Sequence, residues 1–154
     1  MKRKFYLLPI ILLFLVLLPC CKTVYSTSEV NYVLGDEQTV TVRAIGYGKD
    51  EEKAKINAEQ KVFGVLFFRG LPNSKQKLPI IGSNENEEKE KNKKYFEDFY
   101  NGYRYKTFVM SSIPVGNVVN VKGGQKMLTV DVKVNLSALR RDLETFNVIR
   151  KFGY

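Results

Sequence analysis

The chain has no histidine and no tryptophan, and only two cysteines, adjacent at Cys20 and Cys21. Without histidine, the Ser-His-Asp and Cys-His mechanisms, the imidazole general base and His-ligated zinc are all excluded. Two neighbouring cysteines are too few for a thiolate cage around zinc or an iron–sulfur cluster. Carboxylate, lysine or tyrosine chemistry remains, or no chemistry. No constellation of residues requires it. Glu97 and Asp98 are adjacent on a predicted helix and diverge by about 100°, so they do not face one substrate. Gly46-Tyr47-Gly48-Lys49 lacks the third glycine of a dinucleotide fingerprint and the Gly-Lys-Ser/Thr of a P-loop. The expectation is a protein without enzymatic activity, metal or cofactor.

Long apolar runs are equally scarce. One exists, Phe5–Leu18, fourteen residues without a charge. As a helix it is about 21 Å long, short of a hydrocarbon core of about 30 Å. Pro9 weakens it further as a spanning helix. Lys2, Arg3 and Lys4 precede it, and a basic start before a short apolar run is the pattern of a secretory signal. Of the 25 basic residues those three lie in this segment, so the remaining chain carries 22 against 16 acidic residues, a net charge of +6.

The run ends Leu17-Leu18-Pro19-Cys20-Cys21-Lys22. This resembles the lipobox of bacterial lipoproteins, in which a Cys follows a small residue and an upstream leucine. The resemblance implies that residues 1–20 are removed and that the sulfur of Cys21 carries diacylglycerol. Cys20 is the second choice, because Pro19 would then stand at the cut. It implies a bacterial cell-envelope protein held to a membrane by its N-terminal lipid. Lys22 after the modified cysteine, where aspartate would signal inner-membrane retention, implies an outer-membrane protein facing the periplasm.

Residues 21–36 read as a polar tether, with a short strand within it at Val30–Leu34. Residues 37–154 read as one domain. Val40, Val42 and Ala44 alternate with Thr39, Thr41 and Arg43, a half-buried strand. Asp50 is suited to cap a helix over Asp50–Phe68, with Ala54, Ala58, Val62, Val65 and Leu66 on one stripe and Gly70 ending it. The small residues come first, so this helix should approach a sheet closely at its start and open out toward Phe67 and Phe68.

Arg69–Asn84 is a long loop whose Leu78, Ile80 and Ile81 either plug the core edge or dock a partner. Glu85–Lys94 is a neutral run with Glu-to-Lys spacings of four, which suits a solvated helix and not a nucleic-acid tract. It continues into Phe96, Phe99 and Tyr100 on one face. Tyr103–Ser111 alternates as a strand. Pro114–Lys122 and Gln125–Asn135 flank Gly123-Gly124 as a hairpin. Asn135 is placed to cap a last helix with Leu136, Leu139, Leu143 and Phe146 on one stripe. Asp131 and Lys133 share a strand face and are expected to pair.

This order predicts a two-layer α+β domain, with a small, mostly antiparallel sheet of three to four strands and helices packed on it. The strand Val40–Gly48, followed by a helix with Ala54 and Ala58, resembles the lipoprotein-20 family and the N-terminal domain of flagellar assembly protein T. That resemblance implies a small α+β envelope domain to which no catalytic residues are assigned.

Two functions follow as expectations. One is a lipid-anchored envelope protein with a structural or protein-interaction role, whose partners are the membrane and another envelope protein, with no nucleic acid. The alternative is a lipoprotein that binds a glycan or small molecule on an aromatic surface of Tyr100, Tyr103 and Tyr105, where cations interleave with rings.

Overall fold

The computed structural model describes residues 29–121 and 123–151. Cys20, Cys21 and the signal segment lie outside the described residues.

The order of elements is β1 (Val30–Gly35), β2 (Thr39–Gly48), α1 (Glu51–Phe68), α2 (Glu85–Lys91), α3 (Lys93–Tyr100), a 3-10 turn (Arg104–Phe108), β3 (Val109–Pro114), β4 (Val119–Val121), β5 (Gln125–Asn135) and α4 (Leu136–Thr145). The fold is α+β. Its sheet has five strands rather than three to four, in the order β1-β2-β5-β3, and β4 also pairs with β5. All pairings are antiparallel. β3 and β4 occupy successive stretches of one edge of β5, and Gly123 and Gly124, both at positive φ, turn β4 back into it.

The end of the expected tether is part of the sheet. Val30 lies opposite Ala44 and Gly35 opposite Val40, and Val30 is buried, so the ordered domain begins well before residue 37. The expected strand over Tyr103–Ser111 is also corrected. Tyr103 stands at φ 57, Arg104–Phe108 forms the 3-10 turn, and the strand begins at Val109. The charged run and the aromatic run form two helices, not one, and the backbone breaks at Asn92 (φ −114, ψ 33).

The helices cover one face of the sheet. On it Val40, Val42, Ala44, Leu128, Val130, Val132 and Val134 are buried, and the residues alternating with them are half-exposed or exposed. α1 crosses this face. Its cap is the predicted one, with the Asp50 carboxylate accepting from the Lys53 amide at 2.8 Å. Its close approach is also as read. A Cβ on Gly46 would overlap the Ala54 carbonyl oxygen and stand 2.6 Å from the Ala58 nitrogen. Glycine there lets helix and strand backbones nearly touch.

Toward its C-terminus α1 is buried on a second side as well. Phe63 meets Phe99 at 5.2 Å and Tyr105 at 5.7 Å between ring centroids, and Phe67 meets Phe96 and Phe99. Edge-on and tilted rings of this kind fill volume while aligning ring quadrupoles favourably. Each buried ring contributes on the order of 2–3 kcal/mol by apolar burial. Helix α3 therefore docks through Tyr95, Phe96 and Phe99, while no residue of α2 is buried. On α4, Leu136, Leu139 and Leu143 are buried as read, but Phe146 is 48% exposed, because it lies past the helix end.

Candidate functional site

The three tyrosines of the expected ligand surface do not share a surface. Tyr105 is fully buried against Phe63 and Phe99. It sits in the 3-10 turn and enters the core, with its ring centroid 6.3 Å from that of Tyr103. Tyr103 is 46% exposed, with the Lys106 ammonium over its ring at 5.2 Å. Tyr100 is half-buried and stacks on Phe96, with Lys89 above it. Core packing accounts for most of this aromatic content.

The apolar loop segment divides similarly. Ile80 and Ile81 are half-buried against the core. Their backbone amides donate to the carbonyls of Leu66 (2.9 Å) and Phe67 (3.0 Å), which α1 leaves without partners at its end. Gly70, at φ +74, starts this return and donates to Val65. Of the three docking candidates only Leu78 is strongly exposed, at 75%. Gln76 is buried and contacts the Leu78 carbonyl and Arg140, pinning the loop to α4.

Two polar clusters escaped the sequence reading. The first stands where β2 outruns β1. There no strand among the described residues lies beside the edge from Ile45 to Tyr47. Two α1 side chains one turn apart complete it. Asn57 accepts from the Tyr47 amide at 3.0 Å, and Lys61 donates to the Ile45 carbonyl at 2.9 Å. Lys61, 4% exposed, also pairs with Glu29 and lies 4.7 Å from the Tyr47 ring centroid. Tyr47 donates to Glu29 at 3.2 Å, and burial followed by the Glu29 charge raises its pKa. Asn57 and Lys61 carry no signal in sequence, since polar residues on a helix read as solvated.

In the second cluster, Tyr95 donates to Asp142 at 2.9 Å, and Arg104 pairs with Asp142 while stacking over Phe146 at 4.1 Å. Burial, then the Asp142 hydrogen bond, raises the Tyr95 pKa well above the usual phenol range. Asp131 also finds a different partner from the expected Lys133. Arg43 lies directly opposite it across the strands and grips both carboxylate oxygens, at 2.7 and 2.8 Å.

A cleft of about 360 Å³ beside α1 gathers two carboxylates. Glu52, Lys55, Ile56, Glu59, Lys106 and Val109 line it. Glu59 lies seven positions after Glu52 on α1, a rise of about 10.5 Å, which is no arrangement for two carboxylates sharing a proton. Beside it the Tyr105 hydroxyl is buried and makes no hydrogen bond of sound geometry; burial, then the neighbouring Glu59 charge, raises its pKa. Among the described residues no group of three or more Cys, Asp or Glu side chains is placed to hold a metal ion. Nor is any described helix long and apolar enough to cross a membrane. Comparison of this chain with family models, with curated proteins and with solved structures finds no match.

Proposed function

We propose that the protein is a lipid-anchored lipoprotein of the bacterial cell envelope, on the outer membrane facing the periplasm, with a non-catalytic structural or protein-interaction role. The observation that carries this reading is the order of residues at the start of the chain. Three basic residues, a fourteen-residue uncharged run and the pair Cys20-Cys21 follow one another before any polar domain begins. Cys21 is the lipidated residue. Two or three acyl chains on one N-terminus hold a domain to a bilayer almost permanently, where a single chain would not.

The described domain agrees with this reading. Its first strand begins at Val30, so few residues separate Cys21 from the sheet. Its α+β architecture matches what the lipoprotein-20 resemblance implies. The aromatic residues that suggested a glycan or small-molecule surface are largely committed to packing, which favours the interaction role over the binding role.

The test is intact-mass spectrometry of the protein purified from its native membrane fraction, alongside a Cys21→Ala variant. A chain beginning at Cys21 with added diacylglycerol mass, absent from the variant, supports the anchor. An unmodified chain that begins elsewhere overturns it.

A further inference from the structure

We infer that the β4–β5 hairpin end of the sheet is the surface on which the domain rests against its own membrane. Val119, Val121 and Met127 enter the boundary between headgroups and acyl chains there, with Lys49 and Lys126 at headgroup level. The inference rests on the lipid-anchor reading above.

Strand direction supplies the first argument. β1 runs antiparallel to β2, with Val30 opposite Ala44 and Gly35 opposite Val40. The chain therefore enters the domain at the end where β2 finishes and the hairpin turns. Glu29 is fastened at that end by Lys61 and by the Tyr47 hydroxyl.

Tether length supplies the second. Seven residues, 22–28, separate Cys21 from Glu29. Fully extended they span about 25 Å. β2 alone, with ten residues, is about 33 Å long. A tether shorter than the sheet, attached at one end of it, keeps that end nearest the lipid.

The chemistry of the face supplies the third. On the side of the sheet that the helices leave uncovered, Tyr47, Met127 and Val119 lie in register across three strands. Val121 is the next residue of β4 on this side, opposite Gln125. Val119 is 46% exposed, and Val121 and Met127 are half-exposed. At the other end of the same face the corresponding row is Leu34, Thr41, Lys133 and Ser111, with Leu34 57% exposed. The row without a charged side chain thus lies at the tethered end, and the row that carries Lys133 lies at the free end. Lys49, two residues past Tyr47, is exposed, and Lys126, at the same end of the sheet but on its other face, reaches Asn120 at 2.6 Å. Apolar side chains flanked by lysines suit an interface with anionic headgroups.

The experiment uses the full chain, processed in a lipoprotein-exporting bacterium, as Val119→Cys and, separately, Leu78→Cys. Leu78 is exposed on the loop pinned to α4, near the start of β2, and serves as the distant control. Each introduced thiol takes an environment-sensitive fluorophore, and the protein is reconstituted into phosphatidylglycerol–phosphatidylcholine vesicles containing nitroxide-labelled lipid. Intact mass is recorded on the same samples. The label at position 119 is expected to lose most of its emission to the nitroxide at every surface density, and the label at 78 to keep it. Equal quenching at the two sites with the lipid mass present overturns the hairpin assignment alone. So does shielding of position 119 that appears only at high surface density, which would assign the face to a second copy. Absence of the lipid mass overturns the anchor reading, and the hairpin assignment with it.

Discussion

The Lys61 ammonium donates to the Ile45 carbonyl at 2.9 Å, in the gap left where β2 continues past the first residue of β1. A helix side chain thereby satisfies a strand-edge carbonyl that no described strand pairs. Buried carbonyls without partners are costly, and an ammonium with its stem packed along the helix meets that need while pairing Glu29. Lys61→Met keeps the length and apolar stem but takes the donor from the Ile45 carbonyl and the cation from Glu29, which keeps only the Tyr47 hydroxyl. It should cost about 2–3 kcal/mol in urea unfolding. Glu29→Gln should cost less, since Ile45 keeps its partner. Equal losses in the two variants would show that the ion pair, not the strand edge, is what Lys61 serves.

Two glycines should respond in opposite directions. Gly46→Ala forces a methyl group into backbone atoms of Ala54 and Ala58, which cannot swing aside. The helix must lift from the sheet, at a cost of about 3 kcal/mol or more. Gly64, within α1, has open space where a methyl group would stand, with no neighbouring atom within 4 Å of it. Gly64→Ala should stabilise the protein by about 0.5–1 kcal/mol through helix propensity alone. Thermal midpoints of the two variants check both signs.

Acid should weaken the fold through Asp131. The Arg43 hydrogen bonds hold its carboxyl below the usual carboxylate range, against a smaller opposing effect of burial. A group whose pKa is lower in the folded state adds stability above the unfolded value of about 3.9, and that stability is lost as pH falls through the folded value. Arg43 is 45% exposed, so solvent screening keeps the contribution under about 1 kcal/mol. The backbone amides of Thr39 and Gln38 hold Asp36 low in the same way. Asp131→Asn should destabilise the protein at pH 6 and be nearly neutral at pH 2, in unfolding curves measured at both.

Alkali should reveal the buried phenols. Tyr95 and Tyr105 both have raised pKa values, first from burial and then from Asp142 and Glu59. With the folded value above the unfolded one, their contribution is complete below pH of about 10 and declines as pH rises beyond it. Tyrosinate absorbance should therefore include a late, cooperative step that coincides with loss of structure. A single smooth titration with all phenols ionising at once would contradict the burial of these two.

Much of the fold was legible because its signals are local. The alternation in Val40–Ala44, the Asp50 and Asn135 caps, the Ala54–Ala58 spacing and the Gly123-Gly124 turn each depend on a few neighbouring residues, and each stands as read. The candidate site was less legible. Tyr103–Ser111 alternates well enough for a strand, yet Tyr103 turns left-handed and Tyr105 goes to the core. Glu59 and Lys61 lie outside the apolar stripe read on this helix, yet both are buried.

By itself the sequence determined the class of fold, the helix caps, the closeness of α1 to β2 and the absence of imidazole chemistry. These follow from side-chain size, backbone freedom and composition, which need no partner to take effect. Tertiary structure decided which residue pairs with Asp131, which tyrosine is buried, and that Lys61 completes a strand edge. Those outcomes depend on cross-strand register and on a helix packing against a second aromatic face. The groups involved lie 16 to 88 residues apart in the chain, and only the folded backbone sets the distance between them.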